Sequence, residues 1–197
     1  MKKILTLCIL TLFISLNSWS LQKPKHSLYE ITNKEYAKLV QLHHSIKIPQ
    51  AIILREPIIT ACGFVKSSSY CPSNNKIYFF EHELHFFNES KFGIQFLVSH
   101  EYAHAMQTHF KLVRSTPVEV QLLADCLAGA YMSTTKTKFR TEDVTNLFKL
   151  IHSLGDSDWK SAHHHGFPNQ RIAAFITGYA TSTKNITTGI SECYDTF

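Results

Sequence analysis

No stripe of lysine or arginine interleaved with aromatics runs along this chain, and its formal charge is only +5 over 197 residues. Those two facts argue against a nucleic-acid partner. The most apolar stretch, Ile4 to Leu16, falls short of the roughly 20 residues that cross a bilayer comfortably as a helix. There is no C-x-x-C pair, which argues against a cysteine-based zinc site. Internal repeats and low-complexity tracts are also lacking. Residues 1–20 contain no acidic side chain.

What is present is enough apolar material for a core. Hydrophobic residues make up 44% and charged residues 18%, a balance that excludes disorder as the default. The first twenty residues have the layout of a secretory signal peptide. Lys2 and Lys3 precede the apolar run, and Asn17, Ser18, Trp19 and Ser20 follow it, with small residues where a signal peptidase reads. Cleavage is expected after Ser20, giving an exported protein, periplasmic or secreted, with no stable membrane anchor. Cys8 follows Leu7 rather than a small residue, which argues against a lipid anchor. Without Lys2 and Lys3 the charge falls to about +3, too mild to attract nucleic acid.

The mature chain keeps Cys62, Cys71, Cys126 and Cys193. An even number in an exported chain reads as disulfides, with three pairings open. Cys62 and Cys71 flank a short stretch and easily close a loop. That leaves Cys126 with Cys193, a long-range staple worth about 4 kcal/mol in the chain-entropy model.

The patterns along residues 21–197 suggest one mainly helical α+β domain, with strands early and helices late. Tyr36, Leu39, Val40 and Leu42 have helical spacing within residues 31–46. Gln50–Leu54 and Ile77–Phe80 read as strands, the second after an Asn74-Asn75 turn. Phe92–Phe110 is the strongest helix candidate. Thr116 and Pro117 look like the cap and first residue of a helix running to about Ser133. Thr141 would cap another, and Pro168 would open the last, with Ile172, Phe175 and Ile176 facing inward. A small antiparallel sheet including Ile77–Phe80 is expected to pack on the Phe92–Phe110 helix.

That helix carries His100-Glu101-Tyr102-Ala103-His104, an H-E-x-x-H sequence. Residues four apart share one helical face, so His100 and His104 can present two imidazole nitrogens to one Zn2+ ion. Glu101 flanks the open coordination position, where a carboxylate can take a proton from zinc-bound water and pass it to the leaving amine. His82-Glu83-Leu84-His85 has the wrong spacing for this chemistry and reads as a solvated turn. His109, His163 and His164 read as surface histidines.

A zinc peptidase needs a third protein ligand. One common solution is E-x-x-x-D on the next helix, where the Glu binds zinc and the Asp orients a ligand histidine. Asp125 is in place for the second role, but the position four before it is Gln121. Gln121 can ligate through its amide oxygen, Asp125 or Glu119 can substitute, or catalysis has been lost and the fold kept as a binding module.

Several stretches follow one another in an order resembling the bacterial neutral zinc metallopeptidase family. They are Ala61–Gly63 with Tyr70–Pro72, the Lys76–Tyr78 strand, His100–His104, and Leu123–Gly129. They continue through Leu154–Asp156, His165–Arg171 and the closing Cys193–Phe197. The resemblance covers roughly residues 48–197 and implies a gluzincin-like fold, similar in its motifs to the CAAX prenyl protease group. It places the four cysteines at the family's positions. It also implies that His165 donates a hydrogen bond to the oxyanion formed during hydrolysis. Arg171, six residues on, is expected to tie the final helix to the active-site helix or to steady substrate. The departure from the family pattern is Gln121, where the family has Glu. The activity expected is zinc-dependent endopeptidase action on a protein or peptide substrate. The alternative is a catalytically impaired binding module.

Overall fold

The computed structural model describes residues 27–42, 47–135, 139–158, 160, 164–182 and 185–197. The expected signal peptide, residues 1–20, and His163 lie outside them. Among the described residues the elements run α1 (Leu28–Leu42), β1 (Gln50–Leu54), β2 (Ile58–Thr60), β3 (Gly63–Val65), β4 (Ser69–Cys71) and β5 (Lys76–Phe80). The helices α2 (Glu81–Phe87), α3 (Gly93–His109), α4 (Pro117–Ser133), α5 (Thr141–Ser153), α6 (Pro168–Ser182) and α7 (Ile186–Thr196) follow. The architecture is mainly helical α+β.

Helix α3 is buried on almost every side, from Gly93 through Ala103 and again from Ala105 to Gln107. It packs against α1, α4 and the sheet, so it shows no single apolar stripe. Helix α4 starts where the sequence says it should. Thr116 accepts a hydrogen bond from Glu119 N, Glu119 reaches back to Thr116 N at 2.8 Å, and Pro117 occupies the first helical position. Helices α4 and α6 cross at very short range. A Cβ on Gly178 would sit 1.8 Å from Cys126 O, and one on Gly129 would sit 2.1 Å from Phe175 O. Only glycine permits that approach. The helical contacts and one face of β5, through Ile77 and Phe79, form the main core. The other face, through Tyr78 and Phe80, packs with Val65 and Cys71 in a second cluster, as the period of two in a strand requires.

The sheet order is β1-β5-β4, with β2 and β3 forming a separate antiparallel ribbon. The sheet is mixed rather than antiparallel: β1 runs parallel to β5, and only β4 opposes it. Residues 55–75 supply the long crossover that parallel pairing needs, and they build the ribbon and β4 on the way. Asn75 sits at φ 54 in the turn before β5, a conformation asparagine tolerates. Cys62 pairs with Cys71, tying the ribbon's turn to β4, and Cys126 pairs with Cys193, tying α7 to α4.

Other expectations need correction. Helix α1 begins at Leu28, and His82–His85 lies in a helix, α2, rather than a turn. Arg140, not Thr141, holds the cap position of α5. Helix α6 is followed by α7, whose start is capped by Asn185 accepting from Thr187 N at 2.8 Å. Ile176 is 42% exposed, so of the three residues expected to face inward only Phe175 is fully buried.

Candidate metal centre

Helices α3 and α4 place His100, His104 and Gln121 together. His100 Nε2 lies 3.2 Å from His104 Nε2 and 3.1 Å from Gln121 Oε1. The protonation of the two rings follows from what touches their other nitrogens. His100 Nδ1 lies 2.9 Å from Asp125 Oδ1. The approach is short but bent away from a straight hydrogen bond. A carboxylate that close favours the proton on Nδ1. His104 Nδ1 lies 3.1 Å from Gln107 Oε1. The Gln107 amide is fixed in that sense because its Nε2 donates to Val120 O at 2.9 Å. With the proton on Nδ1 of each ring, the two would turn bare lone pairs to each other from Nε2. Gln121 Oε1 adds a third acceptor. Three acceptors facing one another without a proton repel, and a cation is the group that relieves them.

The spacing suits such an ion. Nitrogen and oxygen ligands about 2.0–2.1 Å from a tetrahedral zinc lie about 3.3 Å apart, close to the 3.1 and 3.2 Å seen here. Among the described residues no group of three histidine, cysteine or carboxylate side chains could hold a metal ion. The residues that could hold one are thus two imidazoles and an amide. The donor set fits a zinc ion, with less charge than two histidines and a glutamate would bring.

The other candidates for third ligand are engaged elsewhere. Glu119 belongs to the α4 cap. Asp125, fully buried, accepts from Arg171 Nε at 2.7 Å and Nη2 at 2.9 Å while facing His100. Burial works to raise the Asp125 carboxyl, but the Arg171 guanidinium and the His100 contact hold it below the usual carboxylate range. Arg171 also donates from Nη1 to Leu154 O at 2.9 Å. It therefore ties α6 to α4 and to the end of α5, rather than directly to α3, and its three hydrogen bonds orient it toward the protein.

Glu101 is 5% exposed, and its Oε2 is buried without a hydrogen-bond partner. Burial lifts its carboxyl from 4.5 to about 7; the His100 ring opposes the rise, Glu83 adds to it, and a hydrogen bond from the Tyr70 backbone lowers it again. Burial and the neighbouring His100 lower His104 from 6.5 to about 3, so its ring stays neutral and available as a ligand, with one side open to the cleft. A cleft of about 590 Å³ runs past these groups. Its walls include His100, Glu101, His104, Gln121, His165 and Arg171, with Ser67–Tyr70 of the β4 edge along one side.

His165 is exposed at that cleft. Its neighbour His164 is not the surface histidine expected: it is 8% exposed, its Nδ1 is against Asp156 Oδ1, and it packs edge-on against Phe167. His109 is exposed. Two residues at the site escaped the sequence reading. Gln107 had a usable signal, since it lies three residues from His104 on the same helical face. Asp156 lay in the Leu154–Asp156 stretch of the resemblance, but its partners were not legible, because its contacts close a loop.

Compared with models of protein families, with curated proteins and with solved structures, the chain has no significant match. The family likeness therefore rests on the order of the motifs alone.

Proposed function

We propose that the chain is a zinc-dependent metalloendopeptidase acting on an extended polypeptide. The observation that carries this is the convergence of His100 Nε2, His104 Nε2 and Gln121 Oε1 beside Glu101, whose Oε2 is buried without a hydrogen-bond partner, in a cleft. A bound zinc ion would supply Lewis acidity, lowering the pKa of water and polarising a carbonyl. Glu101, with its carboxyl raised toward neutrality, accepts a proton from water and delivers it to the departing amine. Asp125 keeps the His100 proton on Nδ1, and Arg171 keeps Asp125 ionised. His165, at the cleft, donates to the oxygen on which negative charge develops. Strand β4 is a sheet edge and gives an extended peptide a backbone to pair with.

The two disulfides fit an oxidising compartment, as an exported protein would meet. Among the described residues no helix is long and apolar enough to cross a membrane.

The test has two parts. Elemental analysis of the mature protein should give about one zinc per chain. Glu101→Gln should keep the metal and lose peptide hydrolysis by about 10²- to 10⁴-fold, the usual worth of a general base. Hydrolysis that survives Glu101→Gln rules the proposal out.

The neutral Gln121 favours a second reading, a peptide-binding module on a protease scaffold. That protein would purify with little zinc and still bind extended peptides in the cleft. Zinc content separates the two.

A further inference from the structure

Asp156 sits three residues beyond the end of α5, in the loop that leads to α6. It holds three consecutive residues across that loop. Its Oδ2 accepts the His165 backbone N–H at 2.8 Å. Its Oδ1 meets His164 Nδ1 and also accepts Asp158 N at 3.1 Å. Its own N–H donates to Gly166 O at 3.1 Å. His164 is turned inward onto Phe167 by this pairing, so the chain presents His165 outward to the cleft. Gly166 follows at φ 92, a left-handed conformation that costs glycine little and lets the loop reverse at once. The same segment is anchored from behind, where Arg171 donates to Leu154 O at 2.9 Å while gripping Asp125.

We infer that Asp156 is a positioning residue: by fixing His164 inward and the His165 backbone in place, it aims the His165 side chain at the cleft. The inference rests on the peptidase reading of the site, because His165 has work to do only if charge develops there. Asp156 touches no metal ligand and no reacting atom. Its main effect on turnover runs through His165, beside a lesser electrostatic pull on the Arg171 guanidinium. The anchoring by Arg171 means that the aim of His165 and the orientation of His100 share one buried guanidinium, so the two sides of the cleft are held in register.

The experiment is a double-mutant cycle on the full mature protein, with Asp156→Ala, His165→Ala and the pair, each loaded with zinc. Asp156→Ala should lower kcat by about 10- to 100-fold, the usual cost of losing an orienting partner, with KM and zinc content little changed. Combined with His165→Ala it should cost almost nothing more, because residues acting as a unit are not additive. Asp156→Asn should restore part of the activity, since its amide oxygen can accept from His165 N–H and its NH2 can face His164 Nδ1, while the bond from Asp158 N–H is lost. Independent losses that add would overturn the inference, and so would a drop in zinc content equal to the drop in kcat. Amide hydrogen exchange supplies a readout that needs no turnover. The His165 N–H should be protected in the native protein and exposed in Asp156→Ala at an unchanged melting temperature. If the native protein proves inactive, the peptidase reading falls while the exchange result still decides whether Asp156 holds His165. Equal protection in both proteins overturns that hold.

Discussion

Arg171 grips Asp125 with two nitrogens, at 2.7 and 2.9 Å, where both side chains are buried, at 4% and 0% exposure. Asp125 faces His100 with the oxygen that accepts the longer of the two bonds. A guanidinium fork matches a carboxylate in this way and a lysine does not. Arg171→Met should therefore strand a buried charge and cost about 3–5 kcal/mol of stability. It should also weaken zinc binding, because Asp125 would lose the partner that keeps it ionised. Denaturant unfolding and zinc titration of the same variant check both effects. Arg171→Lys should recover only part of either.

Gln121 sets the strength of the metal site. Gln121→Ala removes one of three converging acceptors and should weaken zinc binding by more than the roughly 10- to 100-fold that loss of an outer partner costs. Gln121→Glu replaces a neutral oxygen with a charged one and should tighten it. The check is competition with a chelator of known affinity. Equal affinity in all three proteins would mean that Gln121 is not a ligand.

Much of this site was legible because it lies on helices, where spacing fixes the face. His100 and His104 were read from their spacing, and Gln121 from its place four residues before Asp125 in an E-x-x-x-D pattern; the three come together. The start of α4 was legible too, since Thr116, Pro117 and Glu119 form a cap whose logic is local. The contacts that were missed are not local. Nothing in Gln50–Leu54 says that it pairs parallel to β5 rather than antiparallel, because an isolated apolar strand carries no direction signal. Helix α7 reads poorly as a helix, with Thr187, Thr188 and Gly189 near its start. It holds through the Asn185 cap and the Cys126–Cys193 bridge. Asp156 reaches across a loop to His164 and His165, and only the folded chain brings them together.

The two disulfides should differ in worth. The Cys126–Cys193 bridge spans 67 residues and the Cys62–Cys71 bridge only 9. On the chain-entropy model these loops are worth about 4 and about 3 kcal/mol. Replacing Cys126 and Cys193 with Ala should therefore destabilise more, and it should free α7 from α4. Comparing unfolding midpoints of the two double variants tests the order. A larger loss from the short loop would show that the ribbon's attachment to β4 matters beyond entropy.

Glycine holds the α4–α6 contact. Gly178→Ala would bring a methyl group to 1.8 Å from Cys126 O, a backbone atom that cannot step aside. The helices must separate, and the buried Arg171–Asp125 pair lies on the same two helices. The variant should lose stability by at least the about 1–3 kcal/mol typical of overpacking. Its zinc affinity should fall with it, although residue 178 is not at the site. Calorimetry and zinc titration read the two effects. Full stability in Gly178→Ala would rule out so close a crossing.

The metal-free protein should show opposed titrations at neighbouring positions. Burial raises the Glu101 carboxyl from 4.5 to about 7. The folded chain thus holds that proton more tightly than the unfolded chain. Its contribution to stability is complete below pH 4.5 and is lost as pH rises to about 7. His104 has the reverse sign, since burial lowers it from 6.5 to about 3. Its contribution is complete above pH 6.5 and is lost as pH falls toward 3. Between pH 4.5 and 6.5 the two slopes, each at most about 1.4 kcal/mol per pH unit, run in opposite directions and cancel. Stability measured by denaturant unfolding with chelator present should therefore be nearly flat across that window. Glu101→Gln removes one of the two slopes, so its stability should climb with pH where the native protein stays level. Parallel curves for the two proteins would mean that the Glu101 carboxyl is not raised in the fold.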